Sequence, residues 1–251
     1  MNIGVYQGAA SLAALERWQG IISENLAASA VPGFRKTEAT FASVMGGTLR
    51  GGDGGRSGNS SQSVMPTAVS RINMQVGQMR TTGAEFDFAI EGPGFFQVQR
   101  PNGQTGFTRD GEFHVNSERT LVNKLGYPVL GDGGPISLRP EGGRLSINAD
   151  GSVVQGDQTI GRIAIQDFAD PSVLQRIGDG LLGPSDPKVQ PTPVAAPKVV
   201  SGALETSNVN GLQEMVSLIT VSRAYEASQR VIQTSDENAG KAIQSLGNPL
   251  G

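Results

Sequence analysis

The sequence predicts an α+β chain with long N- and C-terminal helices, able to pair with each other or with copies from other chains, and a central antiparallel all-β domain between them. Three observations carry this. Apolar residues recur at helical spacing near the two ends, short alternating runs divided by glycine-rich turns fill the middle, and two stretches of biased composition separate the parts.

The first helix comes from the start of the chain. No proline or run of glycines interrupts Val5 to Ala30. Val5, Leu12, Leu15, Ile22 and Leu26 fall on a and d positions of a heptad, with Gly8, Gln19 and Ser29 as weak members. Val31-Pro32-Gly33 stops it, because the residue before a proline is driven out of the α region.

The middle reads as short antiparallel strands. Phe86, Phe88 and Ile90 alternate with Asp87, Ala89 and Glu91, Gly92-Pro93-Gly94 turns, and Phe95-Phe96-Gln97-Val98 resumes. Pro101-Asn102-Gly103, Asp132-Gly133-Gly134, Glu141-Gly142-Gly143 and Asp150-Gly151 divide the runs that follow. Turn signals at such short intervals indicate hairpins, not βαβ units.

The last helix is expected over residues 211–246. Leu218, Tyr225, Ile232, Ala239 and Leu246 are seven apart, and Met215 and Ile243 take the partnering positions. Asn210 supplies the N-cap, its side chain accepting from the Gln213 amide.

Residues 46–58 hold seven glycines in thirteen positions and 184–197 hold five prolines in fourteen. The expected division is therefore a terminal helical domain of 1–36 with 202–251, an extended Gly-rich linker region over 37–85, a central β-domain over 86–182 and a Pro-rich connector over 183–201.

Composition narrows the function. Among 251 residues only 17% are charged, the net charge is −3, and no basic run occurs, which argues against a nucleic-acid surface. There is no cysteine and only His114 for histidine, so thiolate zinc sites, cysteine nucleophiles and two-histidine metal motifs are excluded. No run approaches the ~18 apolar residues of a membrane span. The first charge is Glu16 and the first basic residue is Arg17, so the N-terminus does not read as a secretory signal. No cofactor and no membrane insertion are expected.

Enzyme readings are weak. Asp110 and Glu112, two apart, would share a strand face as paired carboxylates, but the glycine between them indicates a solvated turn. His114 lies between Phe113 and Val115, which take the apolar face and leave it outward. Asn148-Ala149-Asp150-Gly151 lacks the first acid and the terminal glutamate of a calcium loop. Gly92, Gly94 and Gly111 are expected to supply turn geometry and no more.

Three motifs in order carry a resemblance. The first is Glu24-Asn25-Leu26-Ala27-Ala28-Ser29-Ala30-Val31-Pro32-Gly33-Phe34-Arg35. The second, central one is Asp87-Phe88-Ala89-Ile90-Glu91-Gly92-Pro93-Gly94-Phe95-Phe96 with Thr108-Arg109-Asp110-Gly111-Glu112-Phe113, Leu121-Val122 and Gly126-Tyr127-Pro128-Val129-Leu130-Gly131. The third is Gly202-Ala203-Leu204-Glu205-Thr206-Ser207-Asn208-Val209-Asn210, continuing to Glu214-Met215-Val216 and Arg223-Ala224-Tyr225-Glu226. With these motifs the chain resembles the bacterial flagellar basal-body rod and hook proteins, most of all the proximal rod type, with the distal rod type second. It departs from the family pattern at Ala28, usually a second asparagine, and at Val31, usually Ser or Thr.

The resemblance implies a non-enzymatic structural subunit whose long N- and C-terminal helices pair as a coiled-coil-like layer, and which polymerises helically, transmits torque and encloses the export channel. Its partners would be other flagellar rod proteins, copies of itself and the flagellar type III export apparatus. It would lie in the periplasm-spanning rod of the basal body, exported without a cleaved signal peptide. Assembly contacts are expected at Leu12, Leu15, Ile22, Asn25, Leu26, Leu204, Asn208, Asn210, Met215, Leu218, Tyr225, Ile232 and Leu246. The alternative is a cell-wall glycan-binding or lytic β-domain on a helical stalk.

Overall fold

The structure, a computed structural model, describes residues 3–49, 61–140, 143 and 145–247. Residues 50–60, which take in the glycine-rich stretch from 50 to 58, and Glu141 and Gly142 of one expected turn, lie outside these. Two compact units form: Met1–Leu26, Thr37–Arg71 and Asn210–Gly251 make one, and Ala27–Lys36 with Ile72–Val209 make the other.

The first unit holds α1 (Ile3–Ala27), the paired strands β1 (Thr37–Leu49) and β2 (Ser61–Ile72), and α2 (Gly211–Gly247). The two helices touch where small residues allow it. A β-carbon added at Gly8 would lie 2.8 Å from Ile232 Cγ1, Gly211 has room for one 3.9 Å from Leu26 Cδ1, and Asn25 Nδ2 donates to Glu214 Oε2 at 3.4 Å. As numbers rise along α1 their partners fall along α2, so the helices run antiparallel. Asn210 caps α2 as expected, accepting from Gln213 N at 3.2 Å.

The buried track of α2 differs from the heptad reading. Val221 is fully buried and Glu214 nearly so, whereas Met215 is 50% exposed. The track therefore runs through Glu214, Leu218, Val221, Tyr225, Ser228 and Ile232, one residue off the partnering positions inferred from Met215. Glutamate and serine occupy two of the three places in the second row, Glu214, Val221 and Ser228, which hides it from any count of apolar residues.

The 37–85 region, expected as an extended linker, carries β1 and β2, which pair with each other. Thr37, Thr40 and Phe41 at one end, and Thr67 and Val69 at the other, suit a pleated surface better than the neighbouring glycines suggested. Trp18 of α1 meets the Phe41 ring edge-on at 5.2 Å between centroids.

Among the described residues the strand pairings of the second unit are antiparallel, as the turn spacing predicts. Its largest sheet has six strands in the order 174–178, 181–184, 105–108, 95–99, 165–167 and 192–193. Successive side chains on a strand point to opposite faces. Phe96, Val98 and Leu181 accordingly join one core with Phe88, Phe113 and Leu121, while Phe95, Phe107 and Leu182 join a second with Phe168 and Leu174. Both faces of this sheet are covered, which is why Phe95-Phe96 reads as an uninterrupted apolar pair.

The Pro-rich connector is sewn onto this unit. Thr192–Pro193 pairs with Gln166–Asp167 at the sheet edge, where a proline costs no ladder bond, and Val199–Ser201 pairs with Phe88–Ile90. The turn after α1 and the strand Ala203–Glu205, expected with the helices, also belong here.

Candidate functional site

The three motifs converge on one buried charge cluster in the second unit. Glu205 is 1% exposed, and its two carboxylate oxygens face different arginines. Oε1 lies 2.5 Å from Arg35 NH1 and accepts from the Gly77 amide at 2.8 Å; Oε2 lies 3.3 Å from Arg109 NH1. Arg35 comes from the first motif, Arg109 from the central one and Glu205 from the last.

One carboxylate serves two guanidinium groups, and backbone carbonyls make up the difference. Arg35 NH1 donates to Gln75 O at 2.6 Å; Arg109 donates through NH1 to Ile90 O at 3.2 Å and through NH2 to Gly92 O at 2.6 Å. Burial lowers the Arg109 pKa to about 10, against the Glu205 charge, which raises it. The Nε atoms of Arg35 and Arg109 are buried without a hydrogen-bond partner. A cluster of this kind is a poor source of net stability but a strict specifier of geometry, since removing one member strands the others.

Close backbone packing brings the segments to this point. Gly33 has φ of +65° and donates to Glu205 O at 2.7 Å; a β-carbon on it would sit 2.2 Å from the Arg109 carbonyl carbon. Gly111 corrects the turn-only expectation: its φ is not positive, and a β-carbon there would lie 1.7 Å from Phe88 O. Phe34 lies under the Arg176 guanidinium, 4.0 Å from ring centroid to Cζ. Asn208 accepts from Lys36 N at 2.6 Å and donates to the carbonyls of Asn73 and Gln75 at 3.0 and 2.9 Å.

The carboxylates weighed as catalytic pair with a lysine. Lys124 Nζ lies 2.7 Å from Glu112 and 3.8 Å from Asp110, and Asp110 Oδ1 accepts from Glu112 N at 3.0 Å. Asp110 is more enclosed than the solvated turn expected of it. Burial lifts its pKa to about 6, while its backbone bond and Lys124 pull it down. It lines a pocket of about 270 Å³ with Val31, Pro32, Phe34 and Leu125. His114 is exposed between Phe113 and Val115, as its neighbours predict. Asp150 spends its oxygens on Ser152 and on Arg162, 3.2 Å away; the Ser152 bonds hold its pKa near 2.

The expected assembly residues are placed unevenly. Ile22, Asn25 and Leu204 are buried in this chain, and Asn25 is engaged by Thr37, accepting from its amide at 2.9 Å and donating to its carbonyl at 2.8 Å. Asn208 is occupied as described. Leu12, Leu15, Leu26, Leu218, Tyr225 and Ile232 are half-buried, and Met215 and Asn210 are exposed. The Leu246 side chain lies outside the described residues. Arg35, Arg109 and Glu205 were missing from that set. The signal for them was their place inside the three motifs, one in each.

Residues 89–155 match the flagellar hook protein FlgE/F/G D1 domain family, and residues 200–245 match the flagellar basal body rod FlgEFG protein C-terminal family. Over 98% of its length the chain is 34% identical to the flagellar basal-body rod protein FlgF of Caulobacter vibrioides, covering 99% of that protein. The chain belongs to the flagellar basal-body rod protein family. Other members of this rod protein family include FlgF of Escherichia coli K12, 30% identical over 98% of this chain and 99% of that one. FlgG of Bacillus subtilis 168 is 31% identical over 93% and 95%. The rod-family match at 200–245 begins just before Glu205, and the other match includes Arg109, so two members of the charge cluster lie inside matched regions. Among the described residues no helix is long and apolar enough to cross a membrane.

Proposed function

We propose that this chain is a structural axial subunit of the flagellar basal-body rod, built into a helical stack with other rod proteins and with copies of itself. The antiparallel contact of α1 and α2 supports an inner, coiled-coil-like layer around the export channel, with torque carried along the helix direction. Within the second unit the charge cluster ties together the turn around Arg35, the Arg109 segment and the strand that ends at Glu205. The subunit is exported by the flagellar type III apparatus without loss of an N-terminal leader, and it works without catalysis. We place it in the proximal rod, on the shortness of the chain.

The observation that carries this reading is the family relationship over nearly the whole chain, with both helices included. Deletion of the gene followed by electron microscopy of purified basal bodies tests it. The expected result is a rod truncated close to the membrane ring and a non-motile cell, restored by the full-length chain. Complete rods in the deletion strain would overturn it. Mass spectrometry of the assembled protein checks the export route: a terminus cleaved beyond the initiator methionine contradicts it.

A further inference from the structure

We infer that the outward ridge of α2 seats on the outward face of α1 in a second copy, with the two copies side by side and of the same polarity. The inference rests on the rod-subunit reading above and names the contact that would join neighbouring subunits. Leu212, Met215, Val216 and Ile219 are each at least 50% exposed, and all four lie on the side of α2 turned away from Val221 and the buried track. Four large apolar side chains in line over two helical turns form a ridge that none of the described residues covers.

The complementary surface is on α1. Its face turned away from Ile22 and Asn25 carries exposed Ala9, Ala13, Gly20 and Ala27, interrupted by the exposed pair Glu16 and Arg17. A β-carbon at Gly20 would meet nothing within 4 Å, so a neighbouring side chain has room there.

Charge selects how the two surfaces meet. Within one chain Asn25 lies against Glu214 and Gly8 against Ile232. Carrying that antiparallel register to a neighbour of the same polarity brings Ile219 over Gly20 and Leu212 over Ala27. It also brings Arg223 beside Glu16, and Glu226 over Ala13, one turn from Arg17. All four of these charged residues are exposed. Two opposite-sign pairings thus arise in the register that seats the ridge on the small residues. The ridge and its seat point in opposite directions from one helix pair, so each copy offers one of each. Such a heterologous contact continues from copy to copy as a ring or a helix and does not stop at a dimer.

The cysteine-free sequence makes the test direct. The full chain carrying Ile219→Cys with Gly20→Cys is expressed in a deletion strain and oxidised in intact basal bodies. The two sites face away from each other in one copy, so cross-links form between copies and give a ladder at two, three and more chain masses. The pair Glu226→Cys with Ala13→Cys samples the same register, which guards against one variant failing to fold. Arg223→Glu should cut swimming at least tenfold, and adding Glu16→Arg should restore it. Protein present in basal bodies without a ladder, a cross-linked band of another protein's mass, or dimers from Ile219→Cys alone each overturn this contact and leave the rod reading standing. Absence of the wild-type protein from basal bodies overturns both.

Discussion

Replacing Glu205 by glutamine probes the charge cluster with little change in volume. Glutamine can still accept from the Gly77 amide through its carbonyl oxygen, which isolates the electrostatic loss. It removes the carboxylate that lies within 3.3 Å of both Arg35 and Arg109, whose side chains are 3–4% exposed. Breaking one buried pair costs about 3–5 kcal/mol, because the remaining charge stays out of water without compensation. That is a large share of a total stability of about 5–15 kcal/mol. At about 2–4 °C per kcal/mol for a domain of 150–250 residues, the expected drop in Tm is roughly 6–20 °C. Scanning calorimetry of the full chain, with near-ultraviolet circular dichroism to follow tertiary packing, measures it. A companion variant tests the cause: Glu205→Leu combined with Arg35→Met and Arg109→Met removes all three charges and should recover most of the loss. A Glu205→Gln protein that melts within 2 °C of the parent would refute the reasoning, since the arginines would then need no counter-ion.

Gly33→Ala should destabilise by more than ~3 kcal/mol in urea titration, because backbone strain adds to a clash with the Arg109 carbonyl carbon. Gly83→Ala is the control: φ there is +72° but the space is open, so only about 1–2 kcal/mol of left-handed strain is expected, and equal losses at the two sites would discount the clash. Asp110 has its folded pKa raised to about 6, so the folded state binds its proton more tightly, and this contribution is full below the unfolded value of 3.8 and lost as pH rises through 6. Asp110→Asn keeps the turn acceptor and should flatten the stability–pH curve between about 4 and 6; an unchanged slope would assign it to another group. Asn210→Ala should cost about 1 kcal/mol and speed amide exchange at Gln213, read by hydrogen exchange against Val221 as the internal reference.

The sequence carried the fold class because both periodicities are strong where they occur. Phe88 and Ile90 share one core, and Leu218, Tyr225 and Ile232 do lie on the inward side of α2. Where polar residues fill buried positions, periodicity failed. Glu214 and Ser228 take places in the α2 track that a hydrophobic pattern cannot show, and Met215 was assigned inward only because it is apolar. Glycine and proline misled in the same way: β1 and β2 extend through a stretch read as linker, and Thr192–Pro193 sits in a sheet edge read as connector. The charge cluster was half legible. Its residues stand inside the recognised motifs, but their meeting depends on backbone approach at Gly33 and Gly77, which no local pattern encodes.

The position of Glu205 in the chain has a consequence for timing. Its partners Arg35 and Arg109 lie 170 and 96 residues upstream, and Val199–Ser201 and Ala203–Glu205 pair with strands more than 100 residues before them. Contacts so distant in sequence form late, because the loop must close before they are rewarded. A chain that appears from its N-terminus onward therefore holds two cations without their shared anion until about four-fifths of it has emerged. Every shorter nascent length lacks the part that closes the domain, so premature compaction is discouraged by the order of the residues alone.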